Sequence, residues 1–168
     1  MHLPSDNLQI TNLIAVYCNQ NNTEKFLVGE IQDLNSEYLL LSLISPDASA
    51  DGLCLCSANA IYRIELDSQY LRRLGRHTSL TTNQHSGNDP WEEFWTFTER
   101  KKLLTKITGF SGKQIICGIP VSHTKETVLI QKVHPNTTEG KHFNIRRKKV
   151  ALAACESTYQ CEKASGKR

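Results

Sequence analysis

No stretch of the 168-residue chain approaches the roughly 18–20 uninterrupted apolar residues of a membrane-spanning helix, so an integral helical membrane protein is excluded. Met1 to Asn12 has neither the basic opening nor the apolar centre of a secretory signal, and a cytoplasmic protein is expected. There is no P-loop, no G-x-G-x-x-G, no G-x-S-x-G and no H-E-x-x-H. Their absence removes the phosphate-cradling, dinucleotide, nucleophile-elbow and zinc-protease chemistries those spacings serve. The six cysteines (Cys18, Cys54, Cys56, Cys117, Cys155 and Cys161) lack the C-x2-C spacing of a structural zinc site. Several lie in apolar runs, Leu53-Cys54-Leu55-Cys56 and Ile115-Ile116-Cys117, where a reduced thiol packs as a small hydrophobe. Cys54 and Cys56 share one strand face and Cys18 could join them, but core packing is the expected role. No metal and no cofactor is expected.

What is present suffices for a core. The chain is 39% hydrophobic and 22% charged, which suits one ordinary domain or two very small ones. Its formal net charge of +3 conceals an uneven distribution. Residues 1–75 hold four bases against nine acids, a charge of −5, and residues 76–90 cancel. Residues 91–168 hold fifteen bases against seven acids, a charge of +8. Such asymmetry fits two units with different partners, or two units that attract one another.

The segment Gly75 to Asp89 has one Leu and no other large aliphatic or aromatic residue, and reads as a flexible connector. It ends in Asp89-Pro90-Trp91-Glu92, where an N-cap Asp, a Pro at the first helical position and a following Glu start a helix. Trp91, Phe94 and Trp95 form one apolar stripe at three-four spacing, and the helix is expected to reach about Leu104. Their expected place is a seam between two units. Short apolar segments bounded by Asn, Asp, Gly and Ser read as strands on either side. Before the connector they are Leu13–Cys18, Phe26–Leu34, Tyr38–Ile44, Leu53–Cys56 and Ala60–Leu66. After the helix they are Lys106–Thr108, Gln114–Val121, Thr127–Val133, Lys141–Ile145 and Lys149–Cys155.

The two sets align at a constant shift of 89 residues. Gly29 falls on Gly118, Tyr38-Leu39-Leu40-Leu41 on Thr127-Val128-Leu129-Ile130, and Ile44-Ser45-Pro46-Asp47 on Val133-His134-Pro135-Asn136. Asp67-Ser68-Gln69-Tyr70 falls on Glu156-Ser157-Thr158-Tyr159, while upstream Ile14 meets Leu103 and Cys18 meets Ile107. Four separate blocks in one register point to a duplicated unit of about five short strands. A sheet that small has to close or cover its edges, so a small barrel is expected in each half. Gly29 and Gly118 would mark the bends. The repeated Ser beside a carboxylate reads as a cap or turn with Tyr as a core anchor.

The stretch Lys25-Phe26-Leu27-Val28-Gly29-Glu30-Ile31 through Asn35 to Leu41 resembles the first signature of the Sm and Sm-like (Lsm, Hfq) barrels: a bent strand with glycine, a polar turn and a second apolar strand. Leu55-Cys56-Ser57-Ala58-Asn59-Ala60-Ile61-Tyr62-Arg63-Ile64 is similar to the second, two short strands meeting at a tight turn. The resemblance covers Ile14 to Leu66 and, through the repeat, Leu103 to Cys155. In that family an Asn and an Arg hold a uridine. The aligned positions here carry Leu39 and Cys56, then Val128 and Ile145, so the resemblance implies the fold and not that pocket. It also implies assembly by edge-strand pairing, which two fused copies could satisfy within one chain.

The expected fold is therefore mainly β: two tandem five-stranded Sm-like or SH3-like barrels with one linking amphipathic helix. Residues 1–75 form an acidic barrel, 76–90 a flexible linker, and 91–168 the helix and a basic barrel. The expected function is a non-enzymatic binding or adaptor role in a bacterial, cytoplasmic protein with no membrane partner. The basic half suggests RNA contact through Arg146, Arg147, Lys148 and Lys149, joined by Arg100, Lys101 and Lys102 if all share a face. The alternative is a protein–protein or self-assembly module in which acidic and basic barrels dock through their edges. A metal-dependent enzyme is the third class and would need His123, His134 and His142 to converge.

Overall fold

The computed structural model describes residues 13–78, 87–133 and 140–155. The first half comprises β1 (Leu13–Tyr17), β2 (Leu27–Leu34), β3 (Tyr38–Ile44), β4 (Ala50–Ser57), β5 (Arg63–Glu65) and helix α1 (Gln69–Gly75). Helix α2 (Pro90–Lys101) opens the second half, followed by β6 (Thr105–Thr108), β7 (Gln114–His123), β8 (Thr127–Lys132), β9 (His142–Arg146) and β10 (Leu152–Cys155). A 3₁₀ turn joins β4 to β5 at Ala58–Ala60, and another joins β9 to β10 at Arg147–Lys149.

The strands form one antiparallel sheet of ten, in the order β5-β1-β2-β3-β4-β10-β6-β7-β8-β9. Two tandem five-stranded barrels were the expectation from the pattern of short strands; the halves instead share a single open ladder, because β10 pairs with the outer edge of β4. The outer edge of β4 is taken by β10, which pairs Leu152 with Cys56, Ala153 with Leu55, Ala154 with Cys54 and Cys155 with Leu53. All eight of these residues are apolar or thiol-bearing, so the pairing satisfies backbone groups and buries side chains together.

Register repeats between the halves. Gly29 is opposite Leu43 and Gly118 opposite Lys132, each pair displaced by 89. The ladder then slips between Ile31 and Asp33, and in the second half between Pro120 and Ser122, again 89 residues on. Leu39 faces Cys56 and Val128 faces Ile145 at the same displacement. A Cβ on Gly29 would strike the Ser42 carbonyl and one on Gly118 the Gln131 carbonyl, which is why only glycine serves at these bends. The upstream alignment is corrected by two residues. Val16 pairs with Leu27 as Ile107 pairs with Ile116, so β1 and β6 correspond at a shift of 91, not 89. The connections β1–β2 and β6–β7 differ in length, and a shift carried over from downstream strands misses that.

Helix α2 begins as its residues dictate: the Asp89 carboxylate accepts from the Trp91 N–H at 3.2 Å, Pro90 follows, and Glu92 and Glu93 occupy the first turn. It stops three residues short of the expected Leu104. Lys102 takes a left-handed φ of 52°, and the Leu103 N–H closes onto the Thr98 carbonyl. Its apolar stripe packs on both halves. Trp91, Phe94 and Trp95 are buried with Tyr38, Leu40 and Leu55 of the first half and Ile107, Ile116, Val128 and Ile130 of the second. A second cluster lies on the other face of the sheet around Ile14, Val16, Leu39, Leu41 and Cys54.

Helix α1 is an addition to the expected elements. Ser68 caps it by accepting from the Leu71 N–H at 3.1 Å, so the cap reading of the Asp67-Ser68 motif holds there. Tyr70 is not the expected core anchor: it is 40% exposed, and Leu71 and Leu74 pack on β1 in its place. The equivalent Glu156-Ser157-Thr158-Tyr159 lies outside the described residues, as does Pro135-Asn136. In the first-half turn Asp47 accepts from Ser45 and Ser49, bonds that hold its carboxyl down to about 2.

Glu30 on β2 is 4% exposed, on the strand face that carries Val28, and among the described residues its Oε1 has no hydrogen-bond partner. Burial raises its pKa. A carboxyl whose folded pKa exceeds the unfolded value stabilises fully only below the unfolded value, about 4.3, and that contribution is lost as pH rises through the folded one. The wild type should therefore lose stability as pH rises over the range above about 4.3, and Glu30→Gln should lose less. Urea unfolding of both proteins across that range measures it; parallel pH profiles would contradict the assignment.

Candidate functional site

The two halves meet around one guanidinium. Arg147, in the turn after β9, donates from Nη1 to Asp89 Oδ2 at 2.7 Å and from Nε to Glu37 Oε2 at 3.0 Å. Nη1 also donates to the Lys125 carbonyl at 3.1 Å. The guanidinium lies over the rings of Tyr38, at 5.2 Å, and Trp91, at 5.4 Å. The Tyr38 hydroxyl donates back to the Arg147 carbonyl at 2.8 Å, and burial pushes that phenol up to about 12 against the pull of Arg147. Burial works against the charge of Arg147, yet Asp89 and Glu37 hold its pKa above the ordinary value. The Arg147 side chain is 12% exposed. This group ties β3, the start of α2 and the β9–β10 turn together.

The basic residues singled out in the sequence are thus divided. Arg146, Lys148 and Lys149 are exposed beside Arg147. Arg100 and Lys101 are in the last turn of α2, and Lys102 is its C-cap. The start of α2 is what touches Arg147, so this second group lies about 16 Å further along the helix axis at 1.5 Å per residue. The Lys101 ammonium sits over the Phe97 ring at 4.8 Å. The two groups of basic residues therefore lie near opposite ends of α2.

Among the described residues His123 does not join a histidine constellation. At the end of β7 it is held to α2, with Nδ1 2.5 Å from Glu99 Oε1 and Nε2 3.0 Å from Glu92 Oε2. Both contacts are hydrogen bonds only when both ring nitrogens carry protons or a carboxyl is protonated. His142 begins β9, level with Gln131 and Ile119, four residues along β7 from His123 or about 13 Å. His134 lies outside the described residues. Cys54 and Cys56 lie 3.6 Å apart at sulfur. A hydrogen bond to Cys56, with burial, raises the Cys18 pKa, which leaves little thiolate for reaction or ligation. Among the described residues no group of three or more His, Cys, Asp or Glu side chains is placed to hold a metal ion.

Among the described residues, β5 and β9 are the two edge strands of the sheet. By the 89-residue correspondence β9 is the counterpart of β4, and β5 the counterpart of β10. Sequence spacing identified the cap role of Asp89. It gave no signal for its pairing with Arg147, 58 residues away, or for that of Glu37, 110 away. Comparison with protein-family models, curated proteins and solved structures finds no match to this chain.

Because the Arg147 side chain is nearly enclosed, Arg147→Ala leaves Asp89 without its cationic partner, with the Trp91 N–H and the Asn35 amide still donating to it, and should cost about 3 kcal/mol. The Glu37 carboxylate is 62% exposed, so Glu37→Ala should cost under about 1 kcal/mol. Urea denaturation of the two variants distinguishes them, and equal small losses would contradict the seam role of Arg147.

Proposed function

We propose that the protein is a non-enzymatic adaptor that assembles head to tail through its sheet edges, β9 of one chain adding to β5 of the next. The carrying observation is the internal β4–β10 junction, whose counterpart edges are the two that lack a strand neighbour among the described residues. Transferring the internal register by 89 residues sets Arg63 opposite the next chain's Ile145, Ile64 opposite Asn144 and Glu65 opposite Phe143. The acidic first half of one chain attracts the basic second half of the next, whereas contacts between like halves repel. The same edges are heterologous, so the contact propagates or closes a ring and cannot pair symmetrically. Inside the chain the junction buries Leu55, Cys54 and Ala153 completely, whereas Asn144 and Phe143 are exposed at the outer edge. The outer contact is accordingly the weaker and more reversible one. The bend at Gly29 and the tight turn at Ala58–Ala60 support reading each half as a duplicated Sm-like barrel unit.

Glu65→Cys and Phe143→Cys, placed on separate chains and mixed under mild oxidation, should cross-link, while Glu65→Cys with Asn144→Cys should not. Wild-type average mass by sedimentation should rise with concentration and fall with salt. A monomer at every concentration and salt, with no register-specific cross-link, would refute the reading.

RNA contact is kept as a second reading because Arg146, Lys148 and Lys149 are exposed together at one turn. It predicts a gel shift at low salt that weakens at moderate salt and disappears when these three become Glu. Changing Arg100, Lys101 and Lys102 should matter less. No shift at low salt would remove this reading.

A further inference from the structure

A cavity of about 520 Å³ opens where the first half meets the second, on the sheet face opposite α2. Strand alternation fixes that side. Ile107 and Ala153 pack with α2, while their neighbours Thr108 and Ala154 line the cavity. Its floor is the apolar interior of the first half, Val16 and Leu43, and Leu152 of β10 forms part of the opposite wall. The lip carries Phe26 and Tyr70, each 40% exposed, with ring centroids 5.8 Å apart and planes nearly perpendicular.

We propose that this cavity is a small-molecule site for an uncharged, largely apolar ligand containing an aromatic ring. Size and lining fit that class: pockets of about 300–1,000 Å³ with apolar walls and a few polar groups enclose such molecules. Two exposed rings at the lip offer edge or face contact to a third ring. Charge argues against an ion as ligand. The lining includes Lys25 and Lys106 but also Glu24 and Asp51, so neither sign is in excess. Because the walls come from both halves, an occupant bridges them and stabilises the single sheet. The site lies within one chain and does not depend on edge assembly.

Indole, with indole-3-acetate and tryptamine as anionic and cationic counterparts, tests this on the full chain by methyl NMR. Indole should shift the Val16, Leu43 and Leu152 methyls saturably and raise the melting temperature. Both charged analogues should bind at least about tenfold more weakly, reflecting the cost of burying an unpaired charge. Thr108→Phe, which fills the wall, should abolish the shifts. Tyr70→Ala, at an exposed position that leaves the core intact, should weaken indole about threefold or more. If Thr108→Phe fails to give a folded spectrum, Tyr70→Ala decides. No saturable shift, a charged analogue binding as tightly as indole, or shifts unchanged in the folded variants would overturn the assignment.

Discussion

An unpaired strand edge is a row of backbone donors and acceptors that must find partners, and the molecule is organised around one solution to that requirement. Each half has five short strands, and the outer edge of the fourth strand of the first half is completed by β10 from the second. A five-stranded unit this small buries a modest core by itself. Joining the units edge to edge makes one sheet, so that a single helix, α2, can cover residues from both. The continuous sheet, the shared aromatic core and the cavity on the opposite face all follow from the β4–β10 ladder.

Arg147 locks that arrangement in a way backbone pairing cannot. Four ladder pairs fix a register, but Asp89, Glu37, Tyr38 and Trp91 around one guanidinium fix the angle at which α2 enters. The position one repeat earlier is Ala58, so no matching guanidinium stands at that turn of the first half. The two halves therefore match in their ladders and differ at the turns, where the internal joint is reinforced and the external edge is not. A negatively charged half followed by a positively charged one then gives the edges a polarity.

Much of this was legible in the sequence. Alternation and turn residues located the strands, Asp89-Pro90 located the start of α2, and the 89-residue shift predicted matching registers from Gly29 to Cys56. Two classes of feature were not legible. Local ones, such as the left-handed Lys102 that ends α2 early and the two-residue offset of β6, depend on backbone detail that composition does not encode. Long-range ones depend on topology. Arg146 to Lys149 read as a charge run of four equivalent bases, yet the third dimension enclosed one and left three exposed. His123 read as a loop histidine, with metal binding only in the third class of function, and it lies between two carboxylates of α2.

The claim on which the account rests is that the two halves form one cooperative sheet through β4 and β10. Native-state hydrogen exchange, read amide by amide, tests it most directly. The account predicts that residues 53–56 of β4 and 152–155 of β10 exchange only through global unfolding, with the same opening free energy as the central strands of both halves. Fast exchange in those eight residues, with the two halves opening at separate free energies, would contradict it.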